Sequence, residues 1–312
     1  MPYIESNGLK FHVQVLGGGD DAAGAKRPKV VMLHGLVIDN LSSWFYTLGH
    51  PMAQQADAHL VDLRGHGRTE IADSGYSVAD HVADLLGLLE AWEIDEPIHF
   101  FGNSFGCVVG LALARQHPEK VASLFLIEAH FSVPGWGEHM AGTLALAAFG
   151  LDEVAVREYL ATEADRKTSR LAKRTEKLFF DTTLIEDLKT EAPIDWLGEV
   201  QCPVFAIYGS ESDILDRARE LEAKVPQCTL EVVENASHSL LIENAALIKS
   251  RAFEWLNTHA GTDYVVEHVE VSSREGALGT MGAPEAMEVL NQMAAENRHL
   301  LDERELPVRR GV

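Results

Sequence analysis

The residue most clearly suited to chemistry is a serine between two glycines, in the run FFGNSFGC at 100–107. The spacing Gly102-x-Ser104-x-Gly106 follows an apolar segment that suits a strand and precedes CVVGLALARQ, which suits a helix. A sharp turn between strand and helix lifts such a serine out of the sheet, and the glycines allow close approach of the two elements. The five-residue spacing alone also fits an ordinary glycine turn, so its context must decide whether Ser104 is a nucleophile.

A serine hydroxyl is a weak nucleophile unless a base lies within hydrogen-bond reach and an acid orients that base. The run VFAIYGSESD ends a predicted strand and reaches Asp213, and LEVVENASH ends the next one and reaches His238. An acid and then a histidine therefore follow Ser104 along the chain, each at a strand end. We assign His238 as the base and Asp213 as the acid. Glu211, two residues away from Asp213, is a competing candidate for the acid.

Backbone N–H groups must also stabilise the oxyanion that develops during attack on a carbonyl group. Phe105 begins the predicted helix after Ser104, and its N–H is one candidate. The run VVMLHGL carries a strand into His34-Gly35, so the N–H of Leu36 is the second candidate. We expect His34 to shape this turn. No metal or organic cofactor is required for this chemistry.

The elements that must position these residues follow a repeating order. Short, uniformly apolar runs suit strands buried on both faces of a parallel sheet; they are KVVML (29–33), AHLVDL (58–63), IHFF (98–101), SLFLI (123–127), VFAIY (204–208) and LEVV (230–233). Helical patterns separate most of them, and one begins after Ser77, a residue suited to an N-cap. Asn7-Gly8 favours a hairpin at the start of the chain. The alternation predicts an α/β fold with a mostly parallel sheet flanked by helices.

Two intervals depart from this order. Residues 132–200 show helical patterns without a clear strand, which predicts an inserted helical cap between core segments 1–131 and 201–260. Residues 261–312 contain no Trp, Phe or Lys and read as a C-terminal extension. Within it we predict an edge strand at 264–271 and a helix at 284–305, whose narrow apolar stripe could pack on its own domain or join a homodimer.

At this point the chain resembles the α/β-hydrolase superfamily, over roughly residues 1–259. The matching runs are LHGL, DLRGHGRT, GNSFG, HPEKVASLFLI, IYGSESD and ASHSLLIENA, in the order and spacing of that family. The resemblance implies that Ser104 is the nucleophile, that His238 is the general base and then acid, and that Asp213 orients it. Some members of the superfamily place their acid after the earlier strand, where this chain has Glu128, so Glu128 is the second alternative.

Several further residues are candidates for substrate contacts. They are His34, Trp44, Asn103, His130, Arg170 and Arg174. The two arginines belong to RKTSRLAKRTEK (166–177), whose basic residues recur at helical spacing. This stripe suits either a solvated helix face or a docking patch for an anionic substrate or an acidic acyl carrier.

Composition limits the classes of partner. The formal net charge of −22 argues against non-specific binding to nucleic acid or to an anionic membrane surface. We find no run of about 18 uncharged apolar residues, so we expect no membrane span. Three widely separated cysteines without metal-ligand spacing, and an N-terminus without a signal-peptide pattern, predict a cytoplasmic protein.

These features predict a serine hydrolase of small to medium acyl compounds, which cleaves a carboxylic ester or a thioester through an acyl-enzyme. Two alternatives stay open. GNSFG also resembles the elbow of carbon–carbon hydrolases that act on ring-fission products, although their oxyanion loop is usually richer in glycine than HGLVIDN. A ligand-binding receptor on the same fold, with little turnover, is the other.

Overall fold

The fold is described from a computed structural model, which covers residues 3–18, 26–36, 39–136, 140, 174, 177–178 and 181–266. The described strands are β1 (Tyr3–Ser6), β2 (Leu9–Leu16), β3 (Lys29–Leu33), β4 (Asp57–Val61), β5 (Ile98–Asn103), β6 (Val121–Ile127), β7 (Val204–Gly209) and β8 (Cys228–Val233). All six strands predicted from apolar runs are confirmed, and their ends differ from the predicted ones by at most two residues.

The eight strands form one sheet in the order β1-β2-β4-β3-β5-β6-β7-β8. β1 and β2 pair antiparallel, β2 pairs antiparallel with β4, and every other pair is parallel. The predicted α/β class with a mostly parallel sheet is therefore confirmed. Because β3 to β8 all run in the same direction, the loops after their carboxyl ends gather along one edge of the sheet.

Two local signals in the sequence act as predicted. Asn7 and Gly8 both take positive φ, 49° and 73°, as a two-residue hairpin turn between β1 and β2 requires. The side chain of Ser77 accepts a hydrogen bond from the backbone N–H of Asp80, and the Asp80 carboxylate accepts one from the backbone N–H of Ser77. This reciprocal capping box starts the long helix that follows.

The helices cover both faces of the sheet. The described α-helices are α1 (Ser42–Trp44), α2 (His50–Met52), α3 (Val78–Ala91), α4 (Phe105–Gln116), α5 (Leu184–Thr190), α6 (Leu215–Lys224), α7 (Leu240–Glu243) and α8 (Ala245–His259), and a π-helical turn at Phe45–Gly49 joins α1 to α2. The apolar residues of α3, α4 and α6 pack on one face, and those of α1, α2 and α8 pack on the other. None of the helices in the described ranges combines the length and the apolar character that crossing a membrane requires.

The helical cap is predicted in the interval between β6 and β7. In its described part, α5 confirms a helix within the predicted run TLIEDLKTEA, and Leu178 and Leu188 are buried in the core that covers α3 and α4. Most of the remaining predicted cap, including Arg170, lies outside the described residues.

The predicted C-terminal extension begins by packing on the core. The ring of Tyr264 stacks on Phe253 with a centroid distance of 4.3 Å, and its hydroxyl donates to the carbonyl oxygen of Met52. Residues 264–266 are not in a strand, so this part of the predicted edge strand is wrong. The rest of that strand and the helix predicted at 284–305 lie outside the described residues.

Candidate active site

Ser104 lies at the sharp turn between β5 and α4, in a backbone conformation that L-residues rarely adopt. Its φ is 51° and its ψ is −116°. Strained non-glycine residues of this kind cost about 1–3 kcal/mol and persist only where the surroundings enforce them. Here the backbone N–H of Ser104 donates to the carbonyl oxygen of Ile127 at 2.9 Å, and its own carbonyl oxygen accepts from Cys107 at 3.0 Å.

The two glycines of the motif are required by close backbone contacts. A Cβ atom added to Gly102 would lie 2.8 Å from the Cα of Cys107, and one added to Gly106 would lie 2.5 Å from the carbonyl oxygen of Leu33. Both distances are too short for a side chain. Strand, turn and helix therefore take the arrangement expected of a nucleophile elbow rather than that of an ordinary glycine turn.

His238 lies in the loop between β8 and α7. Its Nε2 lies 3.0 Å from the Oγ of Ser104, and its side chain is 39% exposed. The imidazole is therefore within proton-transfer distance of the serine hydroxyl and is also open to solvent. The structure brings together the predicted nucleophile and the predicted base.

The acid that contacts His238 is Glu128 and not Asp213. Glu128 directly follows β6, is fully buried, and places Oε2 3.2 Å from the Nδ1 of His238. The side chains of Asp213 and of Glu211 are exposed, and the structure records no hydrogen bond from either to His238. The assignment of Asp213 as the orienting acid is therefore corrected to Glu128, the alternative at the end of the earlier strand.

The physical reason lies in how the loop after β7 folds around the Glu128 carboxylate. The backbone N–H of Gly209 donates to Oε1 at 2.5 Å, and the hydroxyl of Ser212 donates to Oε2 at 2.5 Å. With His238, the buried carboxylate has three donors, which offset the free-energy cost of removing a charge from water. Ser212 faces inward to make this contact, and the next side chain, that of Asp213, faces solvent.

These contacts fix the tautomer of His238. A carboxylate only accepts hydrogen bonds, so Nδ1 carries the proton that is donated to Glu128. Nε2 is then the acceptor for the hydroxyl proton of Ser104, which is the form that a general base needs.

The predicted oxyanion donors flank Ser104. Phe105 is the first residue of α4, where backbone N–H groups have no acceptor within the helix. Leu36 follows the turn after β3, and a Cβ atom added to Gly35 in that turn would lie 3.2 Å from the Cβ of Ser104. The turn that carries Leu36 is thus in contact with the elbow that carries Ser104 and Phe105.

His34 is a supporting residue of this turn and not a substrate contact. It is fully buried; its Nε2 accepts from the backbone N–H of Leu63 at 3.0 Å, and its Nδ1 donates to the carbonyl oxygen of Gly35 at 2.6 Å. In a trans peptide the C=O and the following N–H point in opposite directions. By drawing the Gly35 carbonyl toward the core, His34 turns the N–H of Leu36 away from it.

Two other predicted substrate contacts are also corrected. Trp44 is fully buried in the core, edge-on to Phe101 at 6.5 Å between ring centroids, so it does not line a pocket. Arg174 donates from Nη2 to the backbone carbonyl oxygens of Gly65, at 3.3 Å, and of Thr69. This arginine joins the inserted segment to the loop after β4, and it is not an exposed member of a docking stripe.

His130 and Asn103 lie beside the predicted catalytic groups. The ring of His130 is edge-on to that of His238, with 6.1 Å between centroids. The backbone N–H of His130 donates to the carbonyl oxygen of Ser104 at 3.3 Å. Asn103 immediately precedes Ser104, and its Nδ2 donates to the carboxylate of Asp39 at 3.2 Å.

Sequence reasoning missed the supporting roles of Ser212 and Asp39. Ser212 belongs to the same run as the predicted acid, and Asp39 follows the predicted oxyanion turn. The sequence signal for Ser212 and for Asp39 was only that each follows the end of a predicted strand. Many polar residues follow strand ends, so this signal does not single them out.

Comparison with known proteins agrees with this architecture. Residues 28–245 match a protein family described as alpha/beta hydrolase fold. The chain therefore belongs to the α/β-hydrolase family and is an enzyme of the hydrolase class.

The chain is similar to several individual proteins. It is 34% identical over 120 residues to the uncharacterized hydrolase YraK of Bacillus subtilis, a match that covers 38% of this chain and 40% of that protein. It is 25% identical over 276 residues to the pimeloyl-[acyl-carrier protein] methyl ester esterase of Chromobacterium violaceum, covering 81% of this chain and all of that one. The solved enol-lactonase of Burkholderia xenovorans is 21% identical and superposes with a TM-score of 0.63, over 82% of this chain and all of that one.

Proposed function

We propose that this protein is a serine hydrolase that cleaves a carboxylic ester or a thioester through an acyl-enzyme. The observation that carries the proposal is the continuous line from the Oγ of Ser104 to His238 at 3.0 Å and from His238 to Glu128 at 3.2 Å. A buried acid, an oriented imidazole and a strained serine in this order are the requirements for nucleophilic attack on a carbonyl carbon.

The first half of the reaction forms the acyl-enzyme. Ser104 Oγ attacks the carbonyl carbon while Nε2 of His238 takes the hydroxyl proton. The electron pair of the carbonyl bond moves to oxygen, and the N–H groups of Leu36 and Phe105 stabilise this oxyanion. Glu128 stabilises the imidazolium. When the tetrahedral intermediate collapses, His238 gives its proton to the departing alcohol or thiol.

The second half repeats these steps with water as the nucleophile. His238 removes a proton from water as its oxygen attacks the acyl carbon, and then returns a proton to Ser104 Oγ as the acid product leaves. Proton transfer by a positioned residue contributes about 10²–10⁴-fold to such reactions. Loss of a single oxyanion donor reduces turnover by about 10²–10³-fold.

Ester chemistry is favoured by a similar protein whose name specifies an ester bond. The esterase of Chromobacterium violaceum acts on a methyl ester, and it matches the present chain over 81% of the latter's length. We therefore place carboxylic esters before thioesters as the first substrates to test.

Covalent labelling tests the mechanism directly. A fluorophosphonate probe should label the wild type, and Ser104→Ala should abolish both labelling and turnover while thermal unfolding stays close to that of the wild type. Cys107→Ser, beneath the elbow, is a control that leaves the nucleophile in place. Turnover by Ser104→Ala at the wild-type rate would end the proposal.

A substrate panel tests the bond that is cleaved. We expect hydrolysis of p-nitrophenyl esters of short acyl groups, with acyl thioesters as the second class. A dienoate ring-fission product belongs in the same panel, since efficient cleavage of that compound alone would identify a carbon–carbon hydrolase.

An acidic acyl carrier is the partner that we propose for an ester of this kind. The name of the similar esterase includes such a carrier. Of the two arginines predicted to contact it, Arg174 contacts the chain itself, and Arg170 lies outside the described residues. Arg170→Ala should raise KM for a carrier-bound ester and leave KM for a neutral ester unchanged; equal effects on both would reject the carrier.

A homodimer joined by the C-terminal extension is a separate proposal. Because Tyr264 packs on the core, a chain that ends after Val266 keeps this contact and removes the remainder. Light scattering should show a dimer for the full-length protein and a monomer for the truncated chain, and equal oligomeric states for the two chains would reject a homodimer joined by the extension.

A further inference from the structure

Asp39 connects the two segments that carry the proposed oxyanion donors. Its Oδ2 accepts from the backbone N–H of Gly35 at 2.9 Å and from Nδ2 of Asn103 at 3.2 Å. Gly35 directly precedes Leu36, and Asn103 is two residues before Phe105. One carboxylate oxygen thus bridges the turn after β3 and the end of β5.

The peptide groups on both sides of Gly35 are therefore held. His34 fixes the carbonyl oxygen of Gly35 at 2.6 Å, on the core side, and Asp39 fixes its N–H. A Cβ atom added to Gly35 would lie 3.2 Å from the Cβ of Ser104 and 3.5 Å from Oδ2 of Asp39. The carboxylate lies at the contact between the turn and the elbow.

The position of this contact matters because stabilisation of the oxyanion depends on the distance between the oxyanion and its N–H donors. Donors are effective when they lie about 2.7–3.1 Å from the place that the oxyanion will occupy, and the energy falls when one donor is displaced. The N–H groups of Leu36 and Phe105 belong to different segments, so their separation depends on whatever joins those segments. Asp39 accepts one hydrogen bond from each segment, through Gly35 in the turn and through Asn103 at the end of β5.

We propose that Asp39 is a positioning residue for the oxyanion hole, which sets the distance between the turn that carries Leu36 and the elbow that carries Phe105. This inference rests on the proposed serine-hydrolase function. Asp39 acts through its hydrogen bonds, and it neither contacts the substrate nor transfers a proton.

Two nearly isosteric substitutions separate the hydrogen bonds from the charge. Asp39→Asn retains one oxygen with two lone pairs, which can accept from both Gly35 and Asn103, and it loses only the local bond from the N–H of Asn40 to Oδ1 at 2.8 Å. Asp39→Leu has a similar shape and no acceptor. Asp39→Ala is a second variant without an acceptor, for use if Asp39→Leu does not fold. Asp95→Ala removes an exposed carboxylate before β5 and controls for the change in net charge.

The measurements are kcat and KM for an ester that the wild type hydrolyses, and the inhibition constant of a trifluoromethyl ketone. Such a ketone adds to a serine hydroxyl and forms a tetrahedral oxyanion, so its affinity reports on the oxyanion hole. We expect Asp39→Leu to lower kcat by about 10- to 100-fold, with a parallel rise in the inhibition constant and KM within about threefold of wild type. Asp39→Asn should stay within about threefold of wild type in all three quantities.

Three results would overturn the inference. The first is a kcat for Asp39→Leu close to that of the wild type. The second is a loss of kcat without weaker binding of the ketone, and the third is an equal loss in Asp39→Asn, which would assign the effect to charge. A wild type that is neither labelled by fluorophosphonate nor active on any ester would instead end the proposed function, and this inference with it.

Discussion

Glu128 and His238 are 110 residues apart in the sequence, and Oε2 of Glu128 lies 3.2 Å from Nδ1 of His238. The contact joins the loop after β6 to the loop after β8. The loop after β7 lies between them in the chain and provides Gly209 and Ser212 as donors to the same carboxylate. Three loops at one edge of the sheet thus converge on a single buried acid.

The choice between Glu128 and Asp213 can be tested with two amide variants. Glu128→Gln should lower kcat by up to about 10⁴-fold, because an amide no longer favours the imidazole tautomer that accepts the serine proton. Asp213→Asn should stay within about twofold of wild type, because the Asp213 side chain faces solvent. Steady-state kinetics on one ester suffice. The opposite ranking of the two variants would restore Asp213 as the acid.

Ser212 should affect turnover, although its sequence position gives no sign of a catalytic role. Ser212→Ala removes the 2.5 Å bond to Oε2 of Glu128, so the carboxylate loses the donor that shares an oxygen with His238. We expect kcat to fall by about tenfold with little change in KM, because the loss affects the orientation of the base and not substrate binding. Ser210→Ala, on the same loop, is the matched control, since the Ser210 hydroxyl accepts from the backbone N–H of Asn235. Equal kinetics for the two variants would remove Ser212 from the catalytic support.

His59 should make the stability of the fold depend on pH. It lies on β4 against Trp92, with 4.6 Å between ring centroids, and within the described ranges neither ring nitrogen has a hydrogen-bond partner. Burial, with a smaller contribution from the ammonium group of Lys29, lowers the pKa of His59 from 6.5 to about 4.

The sign of the effect follows from this lowered pKa. Between about pH 6.5 and pH 4 the unfolded chain protonates His59 and the folded chain does not, so stability from this group is present above pH 6.5 and is lost toward pH 4. The loss is at most about 1.4 kcal/mol per pH unit. Urea unfolding of His59→Phe from pH 7 to pH 4.5 should show a shallower pH dependence than the wild type, while His117→Phe, at a partly exposed site, should follow the wild type. Parallel curves for His59→Phe and the wild type would contradict the assignment.

Tyr264 should contribute to stability as a core residue, although it follows the last helix of the fold. It is 5% exposed, stacks on Phe253, and donates its hydroxyl to Met52. Tyr264→Ala should lower the free energy of unfolding by about 3–5 kcal/mol, as for other large aromatic truncations. Tyr264→Phe removes only the hydrogen bond and should cost about 0.5–1.5 kcal/mol. An effect below 1 kcal/mol for the alanine variant in urea unfolding would mean that the aromatic stack is not maintained in solution.

The strands, the elbow and the base could be predicted because each has a local signal. Uniform apolar runs mark strands that are covered on both faces, and the glycines around Ser104 mark backbone contacts that exclude side chains. The acid had no such signal, since Glu128 and Asp213 both follow strands that end at the same edge. The inward position of Ser212 decides between them, and that position depends on how the loop after β7 folds around a residue 84 positions earlier in the sequence.

The direction in which a side chain points was the other feature that could not be predicted from the sequence. Trp44 follows the oxyanion turn and could have faced either the site or the core, and packing against Phe101 determined the result. Arg174 belongs to a basic stripe that looked exposed, but the stripe alone does not show which of its members contacts the core. Backbone carbonyl oxygens at Gly65 and Thr69 are partners that no pattern of side chains reveals.

The location of β8 has a consequence for how this protein responds to heat. β8 is the last strand in the sheet order, and it leads into the loop that carries His238. An ion pair joins β8 to α8: Nε of Arg251, on α8, lies 2.6 Å from Oε2 of Glu231, on β8. Edge elements open locally at a lower free energy than the centre of a sheet, and amide hydrogen exchange detects such opening. Ser104 and Glu128 follow interior strands, so we expect His238, the proposed base, to be the first of the three proposed catalytic groups to lose its alignment. Activity should then decline on warming before the sheet melts cooperatively.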